Sequence, residues 1–218
     1  MIPIFATLPW QVIGVRAGVV AGALVIWFWT QSLIARKAAA KDGIGDAVHD
    51  LTARWHRHLA ANPRVANAAL IISSIFIDLF GLALIGAAIF GRTFAPFLAI
   101  IILFAMRQVC QHLCTLPPPP GNLWRNPGFP ALLVTYEVSN DLFFSGHTGL
   151  AVLGAIYAAH CGPPWLAVAA SVIAFGEAII ILVLRAHYTL DVVTGVFAAF
   201  LAADAAAMLS PALDAWLR

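Results

Sequence analysis

The chain has 218 residues, of which 62% are hydrophobic and only 10% charged, whereas a soluble domain carries roughly 25% charged residues. That balance, with a mean hydropathy of +0.91, excludes an ordinary soluble domain and fits an integral membrane protein. The formal net charge of +2 is too small for a nucleic-acid-binding surface, and three cysteines, Cys110, Cys114 and Cys161, give no disulfide framework.

A spanning helix needs about 20 mostly apolar residues. Six stretches meet that need, at residues 12–34, 65–90, 94–114, 142–161, 164–184 and 188–209. The expected fold is therefore all-α, a single bundle of six transmembrane helices forming one domain over residues 1–218. The first run lacks a basic leader and a small-residue cleavage site, so it reads as an uncleaved spanning helix.

The connection 35–64 holds six basic residues: Arg36, Lys37, Lys41, Arg54, Arg57 and Arg64. From Ile44 onward, Val48, Leu51, Trp55 and Leu59 recur at three- and four-residue steps. That pattern predicts an amphipathic helix in the headgroup layer, with Trp55 as an anchor. His49, His56 and His58 fall in this polar setting and read as solvated or interfacial.

The second long connection, about residues 115–140, opens on four prolines, Pro117 to Pro120, and should be stiff and extended. Trp124 and Phe129 are expected to seat it at the membrane interface. The remaining reversals, Gly91-Arg92-Thr93 and Gly162-Pro163-Pro164, carry the breakers expected between antiparallel helices. Cys110 and Cys114 lie four apart with too few further ligands for a zinc site, so they read as packing thiols and no metal is expected.

Two segments place titratable groups beside apolar runs: residues 140–148 (NDLFFSGHT) and 187–191 (HYTLD). Ionisable groups at membrane depth are costly and mark functional candidates. Six spans put the start of the fourth, the start of the sixth and the end of the third on one membrane face. His147, His187 and Arg107 therefore share a side.

A spacing of four places His187 and Asp191 on one helix face. The carboxylate can fix the tautomer of the imidazole and leave its other nitrogen as a nucleophile toward phosphorus. A structural polar pair is the alternative. Ser145 is a good N-cap and Gly146 allows close backbone approach to a ligand. The helix start that they form favours an anion, and His147 can protonate a departing alkoxide.

Arg107 and Arg185 are candidate phosphate clamps, because a guanidinium holds phosphate oxygens bidentately and stays charged. Arg107 follows thirteen apolar or small residues, which argues against a surface charge; snorkelling is the alternative for Arg185. Asp78 follows Ser73 and Ser74 and is a possible partner for an arginine of the site. Glu177 and Asp204 also lie in apolar runs and stay outside the catalytic set.

Ser145-Gly146-His147 followed by His187-Tyr-Thr-Leu-Asp191 resembles the catalytic motifs of sphingomyelin synthases and of plant phosphatidylcholine:diacylglycerol cholinephosphotransferases. Both are branches of the type 2 phosphatidic acid phosphatase superfamily. The stretch Asp141 to Thr148 is similar to the Asp-Tyr-Leu-Phe-Ser-Gly-His-Thr of the synthases, which makes Asp141 a possible supporting residue. Arg107 with Cys114-Thr-Leu-Pro117 resembles their segment after the third helix, and Arg185-Ala-His187 is like the Arg-Gly-His of the plant enzymes. The likeness spans residues 105–200. The Lys-x₆-Arg-Pro motif of ordinary phosphatases is missing, and Ile181 stands where they carry an Arg six residues before the histidine.

The resemblance implies a lipid phosphotransferase without a metal or other cofactor. A phospho-alcohol headgroup, phosphocholine or phosphoethanolamine, would pass from a glycerophospholipid through phosphohistidine to ceramide, diacylglycerol or another lipid alcohol. A lipid phosphate phosphatase or a phospholipase C-type hydrolase is the alternative. On sidedness two signals conflict. Nine basic residues fall on the motif side and three, Arg16, Arg92 and Arg218, on the other, which places the site in the cytoplasm. The relatives mostly face the lumen or exterior, and the charges of loop 35–64 can bind anionic lipid by themselves.

Overall fold

The computed structural model describes residues 8–36, 44–136 and 142–217. Every regular element in them is helical: α1 (Trp10–Ala35), α2 (Ala47–Leu51), α3 (Ala53–Ala61), α4 (Pro63–Phe90), α5 (Ala95–Leu113), α6 (Gly146–Cys161), α7 (Pro164–Val183) and α8 (Thr189–Trp216). Asp141, expected as a supporting residue, lies outside the described residues.

Five helices, α1, α4, α5, α7 and α8, are long and apolar enough to cross a membrane. The protein is an integral membrane protein. The sixth expected span is where the structure differs. Its helix begins only at Gly146, because Ser145 caps it by accepting from the Thr148 amide at 3.3 Å. Leu142 and Phe144, which hydropathy merges into the run, are instead buried in the preceding loop. At 1.5 Å per residue the 16-residue α6 is about 24 Å long, short of the ~30 Å hydrocarbon core.

Local chemistry sets the other boundaries. Pro63 and Pro164 occupy first helical positions, where a missing N–H costs nothing. The expected amphipathic segment forms two pieces. Asp46 caps α2 through its carboxylate, and the chain breaks at Thr52 before α3. Leu51 and Trp55 are exposed, leaving an apolar flank for the membrane surface.

α6 is central and packs against α4, α5, α7 and α8, while α8 also packs along α5 and α1 lies outside against α4 and α5. The inner face of α8 is a run of small residues, Ala198, Ala199, Ala202, Ala203 and Ala206, all buried. Small residues let membrane helices approach closely. At Gly195 the approach is backbone to backbone: a Cβ there would sit 2.7 Å from the Ser145 carbonyl oxygen. This contact seats the start of α6 on α8.

At the far end of the bundle, Arg16 is fully buried. It donates to the carbonyls of Ala88 (3.2 Å) and Gly91 (2.8 Å), and its guanidinium lies 3.7 Å from Asp214. Asp214 in turn accepts from the Phe94 amide at 2.7 Å. The α4–α5 turn is thus fastened to α1 and α8.

Candidate active site

The histidines come together because three chain segments converge at one end of α6. The Ser145 amide donates to the Asp191 carbonyl at 3.0 Å, which locks the α6 start to α8. Arg107, near the end of α5, donates from Nε to the Phe144 carbonyl at 2.7 Å. Gly146 permits that approach, since a Cβ would meet Arg107 Nε at 3.1 Å and the Phe104 ring at 3.2 Å.

Arg107, Gly146, His147 and His187 line one cavity of about 50 Å³, with Trp27, Gln31, Phe104 and Trp124 completing its wall. That is several times the space of one water and far below the ~300–1,000 Å³ of sites that enclose a drug-sized ligand. The surroundings are oily but the lining brings one fixed cation and two imidazoles to one point.

His187 lies just outside α8, whose N-cap is Tyr188. Asp191 is the third helical residue, and its Oδ2 accepts from the Tyr188 amide at 2.9 Å. The same oxygen is 3.5 Å from His187 Nδ1. The pair therefore belongs to a helix cap rather than to one helical face, as the spacing suggested. His187 Nδ1 and Asp191 Oδ1 are buried without a hydrogen-bond partner, as is His147 Nε2. Catalytic hydrogen bonds are often long before substrate binds, and His147 and His187 both line the cavity.

Three further residues take positions that the sequence did not indicate. Arg185 does not line the cavity. Its guanidinium donates to the carbonyls of His49 (3.1 Å) and Pro120 (3.4 Å), and its backbone has φ +54°, a left-handed conformation that non-glycine residues rarely adopt. Those bonds fasten the Pro120 loop and α2 to the turn before α8. Trp124, expected at the membrane interface, packs edge-on against His147 with centroids 4.9 Å apart and stacks on Tyr136 at 5.0 Å. Asp78, expected to pair with an arginine, accepts from the amides of Leu132 (2.9 Å) and Leu133 (2.8 Å). It holds the loop whose Leu133 and Thr135 line the cavity.

The largest surprise is α2. His49, read as solvated, is buried and donates from Nε2 to the His187 carbonyl at 2.9 Å. His56 donates from Nδ1 to the Val183 carbonyl at 2.9 Å, whereas His58 is exposed. Asp46 accepts from the Thr189 amide (2.6 Å) and hydroxyl (2.7 Å) while capping α2. Burial alone would raise the Asp46 carboxyl, but the hydrogen bonds from Thr189 outweigh it and hold the group below its usual value. Burial pushes His49 down, against the pull of Asp46. The only advance signal was Asp46 itself, an N-cap residue ahead of a periodic run.

This frame matches a known family. The AtPDCT1/2 family model, that of phosphatidylcholine:diacylglycerol cholinephosphotransferases, matches residues 45–208, about three quarters of the chain. The chain belongs to this family. No match was found among curated protein sequences or solved structures. Membership makes the protein a phosphotransferase acting on phospholipids. The matched segment contains α2 through most of α8, with Arg107, Ser145, Gly146, His147, His187 and Asp191; α1, which carries Trp27 and Gln31, precedes it.

Proposed function

We propose that this protein moves phosphocholine from phosphatidylcholine to diacylglycerol through a phosphohistidine at His187. The observation that carries this reading is the cavity shared by Arg107, His147 and His187 inside a family of headgroup transferases. Arg107 holds the phosphate oxygens. Asp191 takes the Nδ1 proton of His187 as a hydrogen bond and leaves Nε2 to attack phosphorus. A P–N bond forms and the P–O bond to the glycerol breaks. His147 gives its proton to the departing alkoxide. In the second step the acceptor hydroxyl returns a proton to His147, its oxygen bonds phosphorus and the P–N bond breaks. Ceramide in place of diacylglycerol would follow the same chemistry.

We further read the short α6 as a sixth crossing, completed by the loop residues 142–145, of which Leu142, Phe144 and Ser145 are buried, within one membrane domain. The site then shares a face with the basic connection 35–64, and the charge count favours the cytoplasm for that face, against the lumenal or exterior side that the resemblance favours.

The test is an exchange assay in vesicles. Phosphatidylcholine labelled in its headgroup, mixed with an added diacylglycerol of distinct acyl chains, is expected to yield labelled phosphatidylcholine of the new acyl composition. Acid-labile, base-stable label on the protein is expected before acceptor is added. His187→Ala retaining full transfer would end this mechanism, and release of free phosphocholine without acceptor would mark a hydrolase.

A further inference from the structure

α1 lies outside the matched segment, yet two of its residues enter the site. Trp27 and Gln31, one turn apart, both line the histidine cavity. Gln31 is only 5% exposed, and both polar atoms of its amide are buried without a partner, as is Trp27 Nε1. A membrane helix does not carry such groups free of cost, because no water offers an alternative bond. They point to a ligand.

The same Trp27 begins a second feature. An apolar groove of about 230 Å³ runs between α1 and α5, lined by Trp27, Phe104, Leu24, Ile100 and Ile101 among others. Trp27 and Phe104 belong to both the groove and the cavity, and their rings touch with centroids 4.6 Å apart. The polar pocket and the oily groove thus adjoin, with the Trp27 and Phe104 side chains between them.

We propose that Trp27 and Gln31 form a subsite for the glycerol ester of a diacylglycerol, with one acyl chain lying in the α1–α5 groove. The donor and acceptor set matches. The indole N–H and the amide N–H₂ donate, as an ester carbonyl requires; the amide oxygen accepts, as a free glycerol hydroxyl requires. Neither side chain is charged, so phosphate is left to Arg107. The proposal rests on the transferase reading for its biological sense. If that reading holds, the leaving alcohol and the accepting alcohol are both diacylglycerols, and one subsite serves each in turn.

Equilibrium binding without turnover tests it. Full-length protein in nanodiscs is titrated with dioleoylglycerol and with its di-ether analogue, which lacks the ester carbonyls. Wild type is expected to bind the ester about tenfold tighter. Gln31→Leu is expected to erase that preference. Ala105→Trp, which fills the groove from its exposed rim, is expected to weaken dioleoylglycerol about tenfold and spare dihexanoylglycerol. Equal binding of ester and ether by wild type, or an unchanged preference in Gln31→Leu, would overturn the proposal. Should Gln31→Leu fail to fold, Trp27→Phe removes the indole donor and must reduce the same preference; if it does not, the proposal falls. Ester-selective binding that depends on Gln31, in a protein without transferase activity, would sink the transferase reading and leave this subsite standing.

Discussion

His49 Nε2 donates to the backbone carbonyl of His187 across 2.9 Å. A carbonyl can only accept, so the contact requires a proton on Nε2. With Asp46 on Thr189 and Arg185 on the His49 carbonyl, it makes the surface helix α2 a brace for the turn that carries the proposed nucleophile. His49→Ala is expected to leave an unpaired buried carbonyl, costing roughly 1–3 kcal/mol, and to lower kcat about tenfold with little change in KM. His49→Gln, which restores a donor, is expected to recover most of kcat. Steady-state transfer rates across a substrate series separate the two parameters.

The same residue gives the brace a pH window. Burial lowers the His49 pKa in the docked state, while an undocked His49 titrates near the ordinary value of about 6.5. Above that value both states are neutral and docking is at full strength. As pH falls through it, the undocked state takes up the proton first, and docking weakens. Hydrogen exchange over residues 44–56, corrected for intrinsic rate, is expected to quicken below about pH 6.5 in wild type and to lose that dependence in His49→Gln.

Asp191 has two partners at one oxygen, the Tyr188 amide at 2.9 Å and His187 Nδ1 at 3.5 Å. Asp191→Asn keeps an acceptor for the amide and removes the charge that orients the imidazole. It is expected to leave the melting temperature near wild type while lowering kcat by about 10²–10⁴, the range of general acid–base effects. A variant that melts normally and retains wild-type kcat would reduce Asp191 to a helix cap.

Much of the site was legible because its chemistry is local in sequence. Ser145, Gly146 and His147 are consecutive, and His187 and Asp191 lie within one turn, so spacing alone relates them. Arg107 stood out as a cation ending an apolar run. What could not be read is what tertiary packing supplies. His49 and His187 are separated by 138 positions, and no periodicity reports that a surface helix folds back on the turn that carries His187. For Arg185 the sequence shows the charge but not the carbonyls of His49 and Pro120 that take its N–H groups. Hydropathy merged residues 142–145 with α6 because a buried loop and a spanning helix are equally apolar.

Gly146 tests how closely Arg107 is set. A methyl group at this position would come within 3.1 Å of Arg107 Nε and 3.2 Å of the Phe104 ring. Both must give way by a few tenths of an ångström, and displacement of the proposed clamp is expected to cost catalysis far more than stability. Gly146→Ala is expected to lower kcat/KM by about 10- to 100-fold with a small change in melting temperature. Arg107→Lys, which keeps charge but not the planar fork, is expected to fall in the same range, and the double variant to lose less than the product of the two.

The last relationship is far from the chemistry and sets stability. Arg16 is fully buried, donating to the carbonyls that end α4, and its ion-pair partner Asp214 holds the first amide of the next turn. In charge counting it stood as one of three cations on the far face; in the fold its side chain belongs to the bundle interior. Removing one member of a buried pair leaves the other charge uncompensated, a cost of about 3–5 kcal/mol. Arg16→Met is therefore expected to lower the melting temperature in detergent strongly. Asp214→Asn, which still accepts from the Phe94 amide, is expected to cost less. Because the two residues share one network, the double variant is expected to be destabilised by less than the sum of the singles. Additive losses in a thermal melt of all four proteins would show that the two side chains act independently.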